Sequence, residues 1–244
     1  MSTNKPSAPN QTVKLSDEDH VGEILKSSIG NLWSAVNELT RLRPTKRERF
    51  SVSIFGSARI QPDDIIYREV NRLARDLAKM ECSIITGGGP GLMQAANEGA
   101  SEVEGCTVDC SVGIRVELPF EQDSNPYVQA EYEHKTFFTR LHHFVIASDA
   151  FVVVPGGIGT VLEAMTIWQL LQVGHLKGTP LIFLGEMWQE LVAWAREQMI
   201  DERYQLASAE DIDIPYCVNT SSEAIAIINE AKTAWDKLPE KPRS

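Results

Sequence analysis

From Phe50 onward, short apolar runs rich in β-branched residues alternate with stretches of helical period, and this alternation leaves few architectures open. SVSIFG at 51–56 reads as a strand, and Ile65 to Met80, with Val70, Leu73, Leu77 and Met80 on one stripe, reads as a helix. CSIITGGG is a second strand and turn, followed by a helix from about Gly91 to Val103, and VGIRVEL is extended. Pro119 to Glu133 is polar with an Asn125-Pro126 turn signal and reads as a connection. Next come a helix over Thr136 to Ser148, a strand over Ala150 to Val154, and a helix from Thr160 to Val173. TPLIFLG, Trp188 to Met199, IPYCVNT and Ser222 to Trp235 continue as strand, helix, strand and helix. Near-continuous apolar strands of this kind are buried on both faces. The fold class expected is α/β, a Rossmann-like doubly wound parallel sheet with helices on both faces.

Around this domain, expected over 50–235, residues 1–18 and 236–244 read as polar tails. Residues 19–43 read as a separate helix, because Val21, Ile24, Leu25, Ile29, Leu32, Trp33, Val36 and Leu39 recur near a 3.6-residue period. The net charge of −11 argues against a nucleic-acid polymer or an anionic membrane surface as partner. No apolar run approaches the roughly 20 residues of a membrane span, and the polar start lacks a secretory pattern, so a soluble cytoplasmic protein is expected. Four cysteines, Cys82, Cys106, Cys110 and Cys217, are too few for a disulfide framework and read as reduced thiols. The adjacent His142 and His143 diverge on a helix and cannot both face one metal. No metal site and no cofactor are expected.

In doubly wound sheets ligands sit beyond the carboxyl ends of the strands, and three strand-end loops here are rich in glycine. They are Gly56-Ser57, Thr86 to Gly91 with Gly88 and Gly89 at its centre, and Pro155-Gly156-Gly157-Ile158-Gly159-Thr160. Glycine lets backbone N–H groups approach an anion, and a following helix turns its unpaired N–H groups and positive dipole end toward the same place. GGGPGLMQ lacks the Lys-Ser/Thr pair of a P-loop, and no strict G-x-G-x-x-G with a suitably spaced acid is present. ATPase and dehydrogenase readings weaken accordingly.

Two charged residues flank the third loop. Thr160 and Glu163 have the S/T-x-x-E spacing of a capping box, which by itself would account for both. A carboxylate beside a bound phosphate repels it, so a phosphate site keeps Glu163 only if its charge is used, and the helix N-terminus should favour its ionised form. Arg140 reads either as a solvated helix charge or as a fork of donors reaching over the strand ends.

These residues resemble the LOG (lonely guy) family, often labelled lysine-decarboxylase-like, whose signature PGGxGTxxE is complete at Pro155 to Glu163. GGGPGLMQAANEGA at Gly87 to Ala100, ELPFEQDSNPYV at Glu117 to Val128 and Arg140 extend the resemblance over about residues 51–229, and the second of these segments resembles the longer-chain branch. The resemblance implies hydrolysis of the N-glycosidic bond of nucleoside 5′-monophosphates such as AMP or cytokinin riboside monophosphates, in a homodimer or larger homo-oligomer. It implies Arg140 and Glu163 as the catalytic pair, with Gly156, Gly157, Gly159 and Thr160 on the 5′-phosphate. Gly56, Ser57, Gly88 and Gly89 join these as candidate substrate-binding residues. It implies no decarboxylase, and nothing near these loops suggests a lysine for a pyridoxal phosphate Schiff base. Some relatives carry molybdenum cofactor, which makes a non-catalytic nucleotide- or molybdenum-cofactor-binding carrier the alternative. Leu141, Thr166 and Gln169 replace residues that the family usually has as Lys, Glu and Thr.

Overall fold

The computed structural model describes residues 20–29, 49–105, 110–117, 123–200 and 205–237. The chain divides into two units, Met1–Thr45 and Lys46–Ser244. In the first, residues 20–29 form helix α1; the rest of the helix expected over 19–43 and the tail at 1–18 lie outside the described residues.

The second unit contains strands β1 (Phe50–Phe55), β2 (Cys82–Thr86), β3 (Ser111–Val116), β4 (Ala130–His134), β5 (Ala150–Val153), β6 (Leu181–Leu184) and β7 (Tyr216–Val218). Between and after them run helices α2 (Ile65–Lys79), α3 (Leu92–Ser101), α4 (Phe137–Ala147), α5 (Ile158–Gln172), α6 (Glu186–Met199), α7 (Ala209–Ile212) and α8 (Ser221–Asp236). The strands form one sheet in the order β4-β3-β2-β1-β5-β6-β7, and every pair is parallel. This is the doubly wound Rossmann-like sheet expected. The chain builds outward from β1 through β2, β3 and β4, then returns to the other side of β1 and builds outward again. The direction therefore reverses between β1 and β5, and the crevice beyond their carboxyl ends is where such sheets bind ligands.

Every residue of β1, β2, β5 and β6 is buried, which is why β5 and β6 are wholly apolar and β1 and β2 admit only small hydroxyl residues, Ser51, Ser53, Ser83 and Thr86, among apolar ones. Successive side chains serve opposite faces. Val52, Ile54, Ile84, Val152 and Ile182 pack with Val70, Leu73 and Leu77 of α2, Ala95 and Ala96 of α3, and Ile228 of α8. Phe55, Ile85, Phe151, Val153, Leu181 and Phe183 pack with Phe144 of α4, Ile167 and Trp168 of α5, and Trp188 of α6. Burying one such side chain contributes about 1.5–3 kcal/mol. Among the described residues no helix is long and apolar enough to cross a membrane.

Three local expectations are corrected, and one element, α7, is added. The connection expected over Pro119 to Glu133 ends in strand β4, whose Glu131, Tyr132 and Glu133 are exposed on an edge and so carry no apolar alternation. Helix α7 is a single turn held by a reciprocal Ser208–Asp211 capping box, too short to show a period. Helix α5 starts at Ile158, two residues before Thr160. Cys110, just ahead of β3, is disulfide-bonded rather than reduced, while Cys82 is a buried thiol and Cys217 an exposed one.

Candidate functional site

The three glycine loops meet at the crevice between β1 and β5. The Ser57 N–H donates to the Pro155 carbonyl at 3.0 Å, and the Leu92 N–H donates to the Ser57 carbonyl at 2.8 Å, so one residue ties the first loop to both others. Glycine is required where they touch. Gly91 has φ +69°, and a Cβ there would stand 2.4 Å from the Ser57 carbonyl oxygen. A Cβ on Gly56 would meet Val154 Cγ2 at 2.5 Å. The Ser57 N–H is thus committed within the protein, and its Oγ accepts from Arg59 N at 3.1 Å.

Arg140 and Glu163 come together across this cluster, from different helices. Arg140 lies one turn into α4, and its side chain is only 13% exposed. Its Nη1 donates to Glu163 Oε1 at 2.8 Å and its Nε to the Ile114 carbonyl in β3, also 2.8 Å. The guanidinium carbon sits 5.0 Å from the centre of the Phe144 ring. Gly87 makes room for it, since a Cβ there would fall 2.4 Å from Arg140 Nη2. A solvated helix charge is therefore not what Arg140 is. Nor do Thr160 and Glu163 form a capping box. The N-cap of α5 is Gly157, with no side-chain cap bond, which puts Thr160 inside the first turn. Glu163 is a turn further on and turns to Arg140 instead.

Burial pushes the Glu163 carboxyl above the usual range, against the opposing pull of the Arg140 charge and hydrogen bond. Desolvation outweighs the attraction because Glu163 is only 8% exposed. The direction is opposite to the one expected from the helix N-terminus: Glu163 lies beyond the first turn, where the field of the free N–H groups fades. Nearby, burial and then the Arg140 charge hold His134 below its ordinary value. His134 Nε2 lies 2.9 Å from His143 Nδ1.

The phosphate-loop candidates differ in how they are held. A Cβ on Gly156 would collide with Thr160 Oγ1 at 2.2 Å, so this glycine packs against its own helix, and Thr160 is buried. Gly157 and Gly159 are exposed, with no atom within 4 Å of a Cβ on either. Gly88 and Gly89 belong to a buried polar network that the sequence did not disclose. The Gly88 N–H donates to Thr86 Oγ1 at 2.9 Å, and Thr86 Oγ1 donates to Asn97 Oδ1 at 2.6 Å. Asn125 Nδ2 lies 3.0 Å from each of Asn97 Oδ1 and the carbonyls of Gly88 and Gly89. Asn97 Nδ2 continues the chain to Ser111 Oγ at 2.9 Å. The only hint in sequence was the Asn125-Pro126 turn signal, since buried asparagines carry no periodic mark.

Of the departures from the family pattern, Leu141 is half-buried on α4. Thr166 Oγ1 donates to the Leu162 carbonyl at 2.7 Å and Gln169 Nε2 to Gln172 Oε1 at 2.9 Å, so both side chains bond within α5. A groove of about 600 Å³ along α2, lined by Arg68, Arg72, Arg75 and Lys79, contains none of the site residues. Three of its cations are already paired, Arg72 and Lys79 with Asp76 and Arg75 with Glu102. Among the described residues no group of three or more His, Cys, Asp or Glu is placed to hold a metal ion.

The class so defined is a doubly wound α/β protein with a buried Arg–Glu pair among glycine turns at the sheet's switch point. The family model described as possible lysine decarboxylase matches residues 93–228, and the chain belongs to that family. The matched span includes Arg140 and Glu163. No curated protein matches the chain. Among solved structures it is similar to the X-ray structure of TM1055, a structural-genomics target, at 24% identity and TM-score 0.54, covering 74% of this chain and 99% of that one. It is also similar to the molybdenum cofactor binding protein of Rippkaea orientalis, at 16% identity and TM-score 0.54, covering 75% and 97%. The Moco carrier protein of Chlamydomonas reinhardtii matches at 19% identity and TM-score 0.55, covering 77% and 99%. At these identities the likeness is one of fold.

Proposed function

We propose that the protein hydrolyses the N-glycosidic bond of nucleoside 5′-monophosphates, releasing the free base and ribose 5-phosphate. The observation that carries this reading is the buried Arg140–Glu163 pair beside the open first turn of α5. The free N–H groups of that turn, next to Gly157 and Gly159, suit the 5′-phosphate. Breaking the C1′–N bond leaves positive charge on the ribose, which the Glu163 carboxylate stabilises from one side. Water then supplies its oxygen to C1′ and a proton to Glu163; the bond's electron pair leaves with the base, which takes up that proton from Glu163, so the carboxylate is restored. A carboxyl raised by burial is a better proton acceptor than an ordinary one. Arg140 keeps Glu163 in place and offers its remaining N–H groups to substrate oxygens.

Decarboxylase chemistry through pyridoxal phosphate would need a lysine, and none occurs in Gly56–Arg59, Gly87–Gly91 or Pro155–Glu163. A second reading is a cofactor carrier, which the two molybdenum-cofactor proteins of similar fold bring into consideration. One experiment separates them: base release and ligand binding measured on the same panel, AMP, other nucleoside monophosphates and cytokinin riboside monophosphates, with Glu163→Gln alongside. Turnover lost in the variant while binding persists supports the hydrolase. Tight binding with no release from any member by the unaltered protein would establish a carrier instead.

We further propose that the protein works as a homodimer or larger assembly. Phe137, Phe138, Ile158 and Leu162, at the starts of α4 and α5 beside the site, are 47%, 86%, 87% and 48% exposed. Sedimentation showing a monomer would remove this.

A further inference from the structure

We infer that Asn125 is a positioning residue that turns the Gly88–Gly89 peptide so that its N–H faces away from the protein and toward an anionic oxygen of the ligand; the ligand's identity rests on the reading above. The peptide unit is planar and trans, so its carbonyl and its N–H point in opposite directions. Asn125 grips that carbonyl twice, its own backbone N–H donating at 2.8 Å and its Nδ2 at 3.0 Å. The Gly89 N–H is thereby directed away from Asn125. The same Nδ2 lies 3.0 Å from the Gly89 carbonyl, but the peptide beyond it belongs to Pro90 and has no N–H, so that contact only braces the turn.

The neighbouring donor is removed from use by the same network. The Gly88 N–H is held by Thr86 Oγ1, which donates onward to Asn97 Oδ1, the atom that also meets Asn125 Nδ2. The bonds close a ring around the turn: Gly88 N–H, Thr86, Asn97, Asn125 and back to the Gly88 carbonyl. All three side chains are buried, with Thr86 and Asn97 at 0% exposure and Asn125 at 6%. Buried amides that satisfy each other this fully fix one geometry, because any rearrangement strands a donor or acceptor away from water. Of the two central glycines in this loop, the ring commits one N–H inward and presents the other.

Asn125→Asp keeps the size of the side chain, replaces the donor facing the two carbonyls by a carboxylate oxygen, and drives the peptide to turn. Ser111→Ala removes a partner of Asn97 at the far end of the network and leaves the grip on Gly88 intact. Calorimetric titration with ribose 5-phosphate and with inorganic phosphate, at a temperature where each variant is folded, gives the comparison. Asn125→Asp should weaken ribose 5-phosphate binding about tenfold or more, the expected effect of losing a hydrogen bond to a charged group. Ser111→Ala should stay within about twofold while unfolding at a lower temperature. Steady-state assays should show Asn125→Asp raising KM more than it lowers kcat, and Asn125→Gln recovering part of the loss. Amide exchange in the unliganded protein reads the orientation directly: Gly88 protected, Gly89 fast, and Gly88 protection lost in Asn125→Asp. Unchanged affinity in folded Asn125→Asp, or an equal loss in both variants, overturns positioning. A protected Gly89 amide overturns it as well. Binding without any base release would sink the hydrolase reading and leave this one standing.

Discussion

At Glu163 two forces of opposite sign act on one carboxylate, and substitution of either partner exposes them separately. Glu163→Gln retains an oxygen for Arg140 Nη1, so the fold and ligand binding should persist while base release falls by about a hundredfold or more. Arg140→Met does the reverse, leaving a buried carboxylate with no compensating charge at a cost of about 3–5 kcal/mol. That cost has a pH sign. Glu163 is already raised by burial, and without Arg140 only burial remains, so its folded value climbs further. The folded state then binds a proton that the unfolded chain has released, and stability is lost as pH rises through the folded value. Urea unfolding should therefore find Arg140→Met close to the unaltered protein near pH 5 and well below it near pH 8; a deficit independent of pH would show that Glu163 is not its source. Residues such as these were legible in sequence because charge beside glycine is conspicuous. Asn97 and Asn125 were not, because an amide that will be buried looks the same in sequence as one that stays wet.

Helix starts and helix contacts decide which glycines serve the fold and which leave room. Gly99 is where α3 meets α2, and a Cβ there would lie 2.0 Å from the Asn71 carbonyl oxygen, a backbone atom that cannot step aside. Gly99→Ala should destabilise by about 1–3 kcal/mol in thermal unfolding even though alanine is the better helix former. Gly157 and Gly159, at the start of α5, face open space. Gly159→Ala should leave stability within about 1 kcal/mol of the unaltered protein yet weaken ribose 5-phosphate binding, because the methyl group occupies the approach to the helix N-terminus. Unchanged affinity would place the phosphate elsewhere. The sequence marked the turns but misplaced the start of α5, since a Thr and a Glu three apart look like a cap wherever they fall. It also missed β4, because an exposed edge strand buries too little to impose an apolar alternation.

For the molecule as a whole, the strand pattern was legible because a sheet covered on both faces must be apolar along its central strands. The order of strands was not legible in the same way, since no apolar pattern marks that the chain returns from β4 to pair β5 with β1. The same burial makes the fold sensitive to alkali. Cys82 opens β2 inside the core on the face covered by α2, α3 and α8, and desolvation pushes its thiol from an ordinary value of 9.0 up to about 12. Tyr67 on α2 is raised too, first by burial and then by its hydrogen bond to Glu98. Both groups keep their protons in the folded state at a pH where the unfolded chain has lost them. Their contribution is complete below the unfolded values and is lost as pH rises through the folded ones, which for Cys82 spans the interval from 9.0 to about 12. One such proton gives a slope of about 1.4 kcal/mol per pH unit across that interval. Cys82→Ala, compared with the unaltered protein by urea unfolding at pH 8, 9, 10 and 11, should lose stability less steeply above pH 9 whatever its offset at pH 8. Parallel curves would mean that the thiol ionises without cost in the folded chain, and that the sheet opens enough at that end to let water reach it.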